Sequence, residues 1–534
     1  MNGTRARSAR VIALCATLTA LTMTAAPSAS ASTAGAAPHR HDGNIVTIKG
    51  GEVRGVAVGD GYAFLGLPYA APPVGELRWR PPQRPPSWGG VRDATQYAAS
   101  CPQQPSGFEG PGPFSEDCLY LNVSTPTLRR DAERPVLVWI HGGGFTQDAS
   151  RNYDGSKLAA TGIVVVTIDY RLGALGFLAH PALALRPDGP AGNYGLMDQQ
   201  AALRWVQRNI AQFGGDPHNV TIAGQSAGGV SVLAHLVSRG SRGLFQRAIV
   251  QSGTFALTQL PLASAEAFGQ QFAAQVGCSN QTAQCLRDVP VQTLVDKFPP
   301  AAIPGVIDGR VLKESIGTAL AAGRFVRVPI INGLNHDEER LFVVGLGLAV
   351  SNGMFVLVNG PVNETNYEEV IASTLGVSDA RATAVAQEYP TSSYESPPVA
   401  LSTLISDANF ACTALQVDVW TSAHVPTFAY EFDDDSAPPR YAPLGVATHT
   451  SEIPYLLDLP NAPIQIPLDA DQQQLANTMR VGWARFAANG NPSTHAVPWP
   501  SFGTSGNDLS LVSPQPVIDT AFAARHHCAF WAAT

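Results

Sequence analysis

The stretch NVTIAGQSAGGVSVLAHLV (219–237) decides how the rest of the chain is read. Its first part, NVTIA, is a short apolar run that predicts a buried strand, and VSVLAHLV carries helical spacing. The corner between them is GQSAGG (224–229), a serine with a glycine two residues away on each side. A serine at such a corner is ordinarily a helix N-cap. The flanking glycines leave room for a strained turn that holds the Ser226 hydroxyl out as a nucleophile. That reading requires a base, an acid and an oxyanion site elsewhere in the chain.

Outward from this corner the same alternation recurs. PVLVWIHGGGF (135–145), GIVVVTIDYRL (162–172) and LFQRAIVQSG (244–253) are continuous apolar runs. So are parts of VPIINGLNHDEE (328–339) and VPTFAYEFD (425–433). Between them, MDQQAALRWVQRNIAQFG (197–214) places Ala202, Trp205, Val206, Ile210 and Phe213 at helical spacing. Apolar strands alternating with helices predict an α/β fold: a large, mostly parallel central sheet with helices on both faces. The N-terminal IVTIKGGEVRGVAV and GYAFLGLPYA read as antiparallel strands with tight turns. Stretches 254–328 and 340–425 read as helix-rich insertions. No repeat or long linker divides the chain, so 44–534 is expected to form a single domain.

Residues 1–31 stand apart. Arg5, Arg7 and Arg10 precede the apolar run VIALCATLTALTM, and Ala29-Ser30-Ala31 offers a cleavage site, the pattern of a secretory signal peptide. Residues 32–43 read as a flexible tail. The expected location is therefore extracellular, with no membrane anchor after cleavage. The 534-residue chain is 45% apolar and 14% charged, the composition of a core-rich globular protein. Loss of the three leader arginines, with no acid, takes the net charge from −8 to −11. An acidic chain without a basic cluster argues against nucleic acid or anionic membranes as partners.

Beyond the leader there are six cysteines: Cys101, Cys118, Cys278, Cys285, Cys412 and Cys528. An even number in an exported chain points to disulfides, and six allow fifteen pairings. Spacing favours 101/118 and 278/285, leaving 412/528. No CxxC is present and the His526-His527 pair is isolated, so no metal site is expected.

In an α/β sheet, chemistry gathers at the C-terminal ends of the strands. G-x-S-x-G after a strand is the nucleophile elbow of α/β-hydrolases, and the upstream HGGGF loop (141–145) is the expected second half of an oxyanion hole. Its donors would be the N–H groups of Gly143, Gly144 and Ala227. An acid and a histidine should follow the serine in chain order. Chemistry alone leaves the acid open among Asp337, Glu338 and Glu339, and sets His449 against His424, His495 and His526.

In these residues and in several longer stretches, the chain resembles the type-B carboxylesterases of the carboxylesterase/cholinesterase group, including secreted bacterial and p-nitrobenzyl-esterase-like members. FGGDPHNVTIAGQSAG (213–228) matches the family's serine signature. EDCLYLNV (116–123) matches a second one, with Ser124 where an apolar residue is usual. FLGLPYAAPPVGELRWRPP, IDYRLGALGFL and GNYGLMDQQAALRWV are also family-like, and the resemblance runs from about Gly50 to CAFW near the C-terminus. It implies a Ser226–Glu338–His449 triad, with the acid in NHDEE and the histidine in HTSE. Glu339 replaces the family's glycine. It also implies disulfides Cys101–Cys118, Cys278–Cys285 and Cys412–Cys528, and a structural Arg78–Glu116 ion pair. Gln225 stands where many members carry an acid. The short 101–118 loop lacks a tryptophan for cation–π contact with choline, which argues against cholinesterase activity.

The function expected from this reading is secreted serine carboxylesterase action on a small-molecule ester, with an acyl-enzyme and no cofactor. The alternatives are the same triad acting on amides, carbamates or lactones, and a non-catalytic binding protein of the same fold. Phe255, Phe298, Phe325, Phe342 and Phe355 are candidates for an apolar gorge or for core. Trp79 and Trp88 are read as packing residues. Asn122, Asn219, Asn280 and Asn363 lie in glycosylation sequons.

Overall fold

The computed structural model describes residues 44–105, 112–184, 192–299, 305–351, 354–358 and 360–533. The expected signal peptide and tail lie outside them. The large sheet is built from strands numbered here in chain order: β1 (Val56–Val58), β2 (Gly61–Pro68), β3 (Tyr120–Thr125), β4 (Arg134–Ile140), β5 (Val164–Ile168), β6 (Gly215–Gln225), β7 (Arg247–Gln251), β8 (Ile330–Asn335), β9 (Thr427–Phe432), β10 (Asp508–Leu511) and β11 (Val517–Asp519). Their spatial order is β1-β2-β3-β5-β4-β6-β7-β8-β9-β10-β11. Every pairing from β5 through β10 is parallel, and the antiparallel pairings lie at the two margins.

Alternation along the strands sends side chains to two apolar layers. On one face Val136, Val138, Ile140, Val220 and Ile222 join residues of α1 (Tyr194–Asn209) and α2 (Ala227–Val237). On the other, Leu137, Trp139, Ala223 and Ile331 pack with Leu475, Met479, Trp483 and Phe486 of α3 (Ala470–Asn489). A strand buried on both faces has no use for polar alternation, which is why these strands read as continuous apolar runs. The chain is an α/β-hydrolase in architecture, and the two insertions are mostly helical.

The expected helix over 197–214 begins earlier, at Tyr194, and ends at Asn209. A 3-10 turn over Ile210–Phe213 then carries the chain to Gly214, in the left-handed region at φ 77°. Six cysteines form Cys101–Cys118, Cys278–Cys285 and Cys412–Cys528, with Cα separations of 5.0, 5.7 and 5.2 Å. Arg78 donates from Nε to Glu116 at 2.7 Å and from Nη1 to the carbonyls of Arg287 and Val289, both at 2.8 Å, which makes it a structural tie. Trp79 is fully buried, and the Trp88 indole N–H donates to the Glu52 carbonyl. Among the described residues no helix is long and apolar enough to cross a membrane.

Candidate active site

Ser226 connects the end of β6 to the start of α2 at φ 57°, ψ −125°. This region is unfavourable for a residue with a Cβ and costs about 1–3 kcal/mol. The surroundings hold it there. Its N–H donates to the Gln251 carbonyl on β7 and its carbonyl accepts from Val230 in α2, both at 2.9 Å. The flanking glycines are required by close approach. A Cβ on Gly224 would lie 2.5 Å from the Gly228 backbone, and one on Gly228 would lie 2.0 Å from the Ile140 carbonyl oxygen.

The HGGGF loop follows β4, the strand beside β6. The Tyr170 hydroxyl donates to the carbonyls of His141 and Gly142, and the Gly143 carbonyl accepts from the N–H groups of Thr146 and Gln147. With those carbonyls engaged, no protein acceptor among the described residues meets the N–H of Gly143, Gly144 or Ala227. Gly143 and Gly144 have φ of 82° and 58°, and a Cβ on Gly143 would meet the Gln147 carbonyl oxygen at 2.1 Å.

His449 arrives from the far side. Asp337 forms a parallel bridge to Thr448, with its N–H donating to the Ala447 carbonyl at 2.9 Å. Parallel register then sets Glu338 beside His449, and Nδ1–H of His449 donates to Glu338 Oε2. Glu338 Oε1 accepts from the Asn335 N–H at 2.8 Å. Glu339 turns away: its carboxylate accepts from the Val350 N–H and its own N–H donates to Ser406 Oγ. Burial, first, raises its carboxyl well above the usual range, and the Glu338 charge adds to this. Asp337 pairs with Arg340 at 3.0 Å. Of the other histidines, His424 and His495 are exposed, and His526 lies between Asp407 and Glu431.

Ser226, His449, Gly143 and Gly144 line one cavity of about 300 Å³. Among the described residues Ser226 Oγ makes no hydrogen bond to His449. The Gln225 amide N–H donates instead to His449 Nε2, at 3.1 Å. Sequence reasoning noted Gln225 only as a departure from an acid and missed this contact. It also missed the supporting shell, in which Glu452 accepts from Gln251 and Asn335 at 3.0 and 2.8 Å. These are long-range pairings with no local sequence signal. Of the candidate phenylalanines, Phe342 lines the cavity with its ring 5.0 Å from His449. Phe255 packs on Phe410, whose ring is 5.8 Å from His449. Phe298 and Phe325 are core, and the Phe355 side chain lies outside what is described.

One group of residues could in principle hold a metal. His336, Glu431 and His526 bring their ligand atoms within 4.8 Å of one another. Both nitrogens of His526 already donate to carboxylates and Arg525 caps Glu431, so the group is an ion-pair network.

The carboxylesterase family model matches residues 42–531. Similar proteins include the pyrethroid hydrolase Ces2e of Rattus norvegicus, 35% identical over 89% of this chain and 85% of its own length. A cocaine esterase of Oryctolagus cuniculus is 36% identical over 92% and 94%. The fumonisin B1 esterase of Sphingopyxis macrogoltabida is 36% identical over 83% and 81%. A solved thermophilic PNB esterase superposes with a TM-score of 0.76 and 31% identity, covering 91% of this chain and 99% of that one.

Proposed function

This chain belongs to the carboxylesterase family, and from that premise we propose that it is a secreted serine esterase working through Ser226, His449 and Glu338 with an acyl-enzyme intermediate. Family and relatives make it a carboxylic ester hydrolase. The carrying observation for the triad is the histidine. Its Nδ1–H is committed to Glu338, which leaves the lone pair on Nε2, now met by the Gln225 amide, in a residue that lines the same cavity as Ser226. That is the tautomer a general base needs.

His449 Nε2 takes the Ser226 proton as Oγ attacks the ester carbonyl. The oxyanion is received by the N–H groups of Gly143, Gly144 and Ala227, where loss of one donor typically costs ~10²–10³ in rate. The C–O bond to the alcohol breaks and His449 gives that alcohol the proton. Water, deprotonated by His449, then attacks the acyl carbon, releasing the acid and returning the proton to Ser226. The Gln225 amide must leave Nε2 before the first step. Catalytic hydrogen bonds often tighten only once substrate is bound, so this contact belongs to the resting site. Three disulfides support an oxidising, extracellular setting.

Relatives named for pyrethroids, cocaine and fumonisin B1 show that the family does not fix the ester, so specificity has to come from the cavity. The test is covalent labelling by an organophosphate, located by mass spectrometry, with p-nitrophenyl ester hydrolysis by wild type and Ser226→Ala. Label on Ser226 and a loss of at least ~10⁴-fold in kcat are expected. Undiminished turnover by a folded Ser226→Ala would overturn the assignment.

A further inference from the structure

Arg440 stands in the wall of the cavity that holds Ser226 and His449, and is only 7% exposed. Its guanidinium carbon lies 5.3 Å from the centre of the Tyr153 ring and 4.7 Å from that of Tyr441. Arg440 also borders a second cavity, with Asp458 and Arg480, but Tyr153 and Tyr441 line only the first. The charged end is therefore on the catalytic side. Its Nε is buried with no hydrogen-bond partner; the Tyr153 hydroxyl and the Asp148 charge favour the guanidinium, but among the described residues no carboxylate is ion-paired with it.

The one acid in this cavity wall, Asp148, favours the Arg440 charge but makes its hydrogen bonds elsewhere. Its oxygens accept from the Ala149 N–H and the Asn152 amide, both at 2.7 Å, and from the Tyr153 hydroxyl. A buried guanidinium with no carboxylate paired to it is costly unless something brings one. A neutral ester offers only a carbonyl. A carboxylate offers two oxygens that match the guanidinium fork. In a chain of net charge −8, such a local cation is also what an anionic substrate would need in order to enter.

We propose that this cavity selects esters carrying a free carboxylate, which Arg440 binds while Ser226 attacks the ester carbonyl. The proposal rests on the triad reading above and adds the substrate class. The carboxylate belongs to either the acyl or the alcohol part, so two matched pairs test it. One is p-nitrophenyl hydrogen adipate against p-nitrophenyl methyl adipate, and the other is para-acetoxybenzoate against its methyl ester.

Wild type should favour the charged member of at least one pair by about tenfold to a hundredfold in kcat/KM, the worth of one charge-assisted contact. Arg440→Gln should abolish that preference, with the neutral esters changed by less than about threefold, and Arg440→Lys should restore part of it. Wild type with no preference in either pair overturns the proposal whether or not a variant folds. Equal loss on charged and neutral esters in Arg440→Gln also overturns it, because that marks a structural role. Failure of the triad reading is separate: it would appear as neutral esters turned over without Ser226.

Discussion

Glu338 and Glu339 are adjacent and equally buried, yet their surroundings give them opposite chemistry. Glu338 accepts the His449 Nδ1–H and the Asn335 N–H, contacts that suit a carboxylate. Glu339 has one backbone donor, from Val350, and burial drives it towards the neutral acid. Glu338→Gln should therefore lower kcat by ~10³–10⁴-fold, because an amide presents its NH₂ or a weaker acceptor to the imidazole and no longer fixes the tautomer. Glu339→Gln keeps an acceptor for the Val350 N–H and removes only a carboxyl that burial already disfavours as an anion, so it should leave kcat within about threefold, with a small shift in Tm. Steady-state kinetics on one neutral ester compares the two. A larger loss in Glu339→Gln would reverse the assignment. Gln225 belongs at this scale too. Its amide occupies the lone pair that the proposed base would use, and because it is neutral it does so without adding a charge beside the imidazole.

At the scale of elements, the site is a crossing of β4, β6 and α2 at distances only glycine allows. Gly228→Ala places a methyl 2.0 Å from the Ile140 carbonyl oxygen and 2.9 Å from that of His141, so α2 must shift away from the sheet. Overpacking of this kind typically costs about 1–3 kcal/mol. The same shift displaces Ser226 and the Ala227 N–H, so kcat should fall more than a hundredfold while Tm drops several degrees. Gly89→Ala, with nothing within 4 Å, is the control and should change neither. Thermal melts and ester kinetics on the same preparations check this, and an active Gly228→Ala would mean that the elbow tolerates more play than these distances allow. The same crossing explains what the sequence discloses. The elbow and the HGGGF loop are legible because their backbone demands are local and only glycine meets them. The apolar strands are legible because burial on both faces removes polar alternation. Choosing Glu338 over its neighbours needs the Asp337–Thr448 bridge, a register between segments over a hundred residues apart. The place of Arg440 and the Gln225–His449 contact depend likewise on the loop after β9 returning to segments some two hundred or more residues earlier, and no periodicity encodes that.

For the whole molecule, the C-terminal segment is fastened to the sheet by charge and to the helix Cys412–Ser422 by Cys412–Cys528. His526 donates from Nδ1 to Asp407 at 2.6 Å and from Nε2 to Glu431 at 2.7 Å. Glu431 also accepts from His336 at 2.8 Å and from Arg525, which reaches Asp519 at 2.8 Å. Asp433 lies 3.6 Å from His336, and burial pushes the Asp508 carboxyl up to about 7, so its charge grows in around neutral pH. Burial alone would lower the His526 pKa, but the hydrogen bonds and charges of Asp407 and Glu431 outweigh it and raise the value to about 10. The folded state therefore keeps a proton that the unfolded chain releases near pH 6.5. This contribution is full below pH 6.5 and is lost as pH rises towards about 10. Glu431 runs the other way. Burial raises it, but His336 and His526 lower it further, so its share is present above the usual carboxylate range and is lost on acidification. Replacing His526 by Gln keeps hydrogen-bonding capacity without the charge. The stability gap between wild type and His526→Gln, from urea midpoints with the disulfides intact, should reach a few kcal/mol near pH 6. It should narrow steadily from pH 6.5 to 10, and a gap constant across that range would mean that the imidazole is neutral in the fold. Because His336 lies two residues before Glu338 in the same loop, loosening the clamp also frees the segment that presents the proposed triad acid. Alkaline loss of kcat in wild type should then begin below the pH at which the protein unfolds, and a kcat profile coincident with the unfolding curve would remove that link.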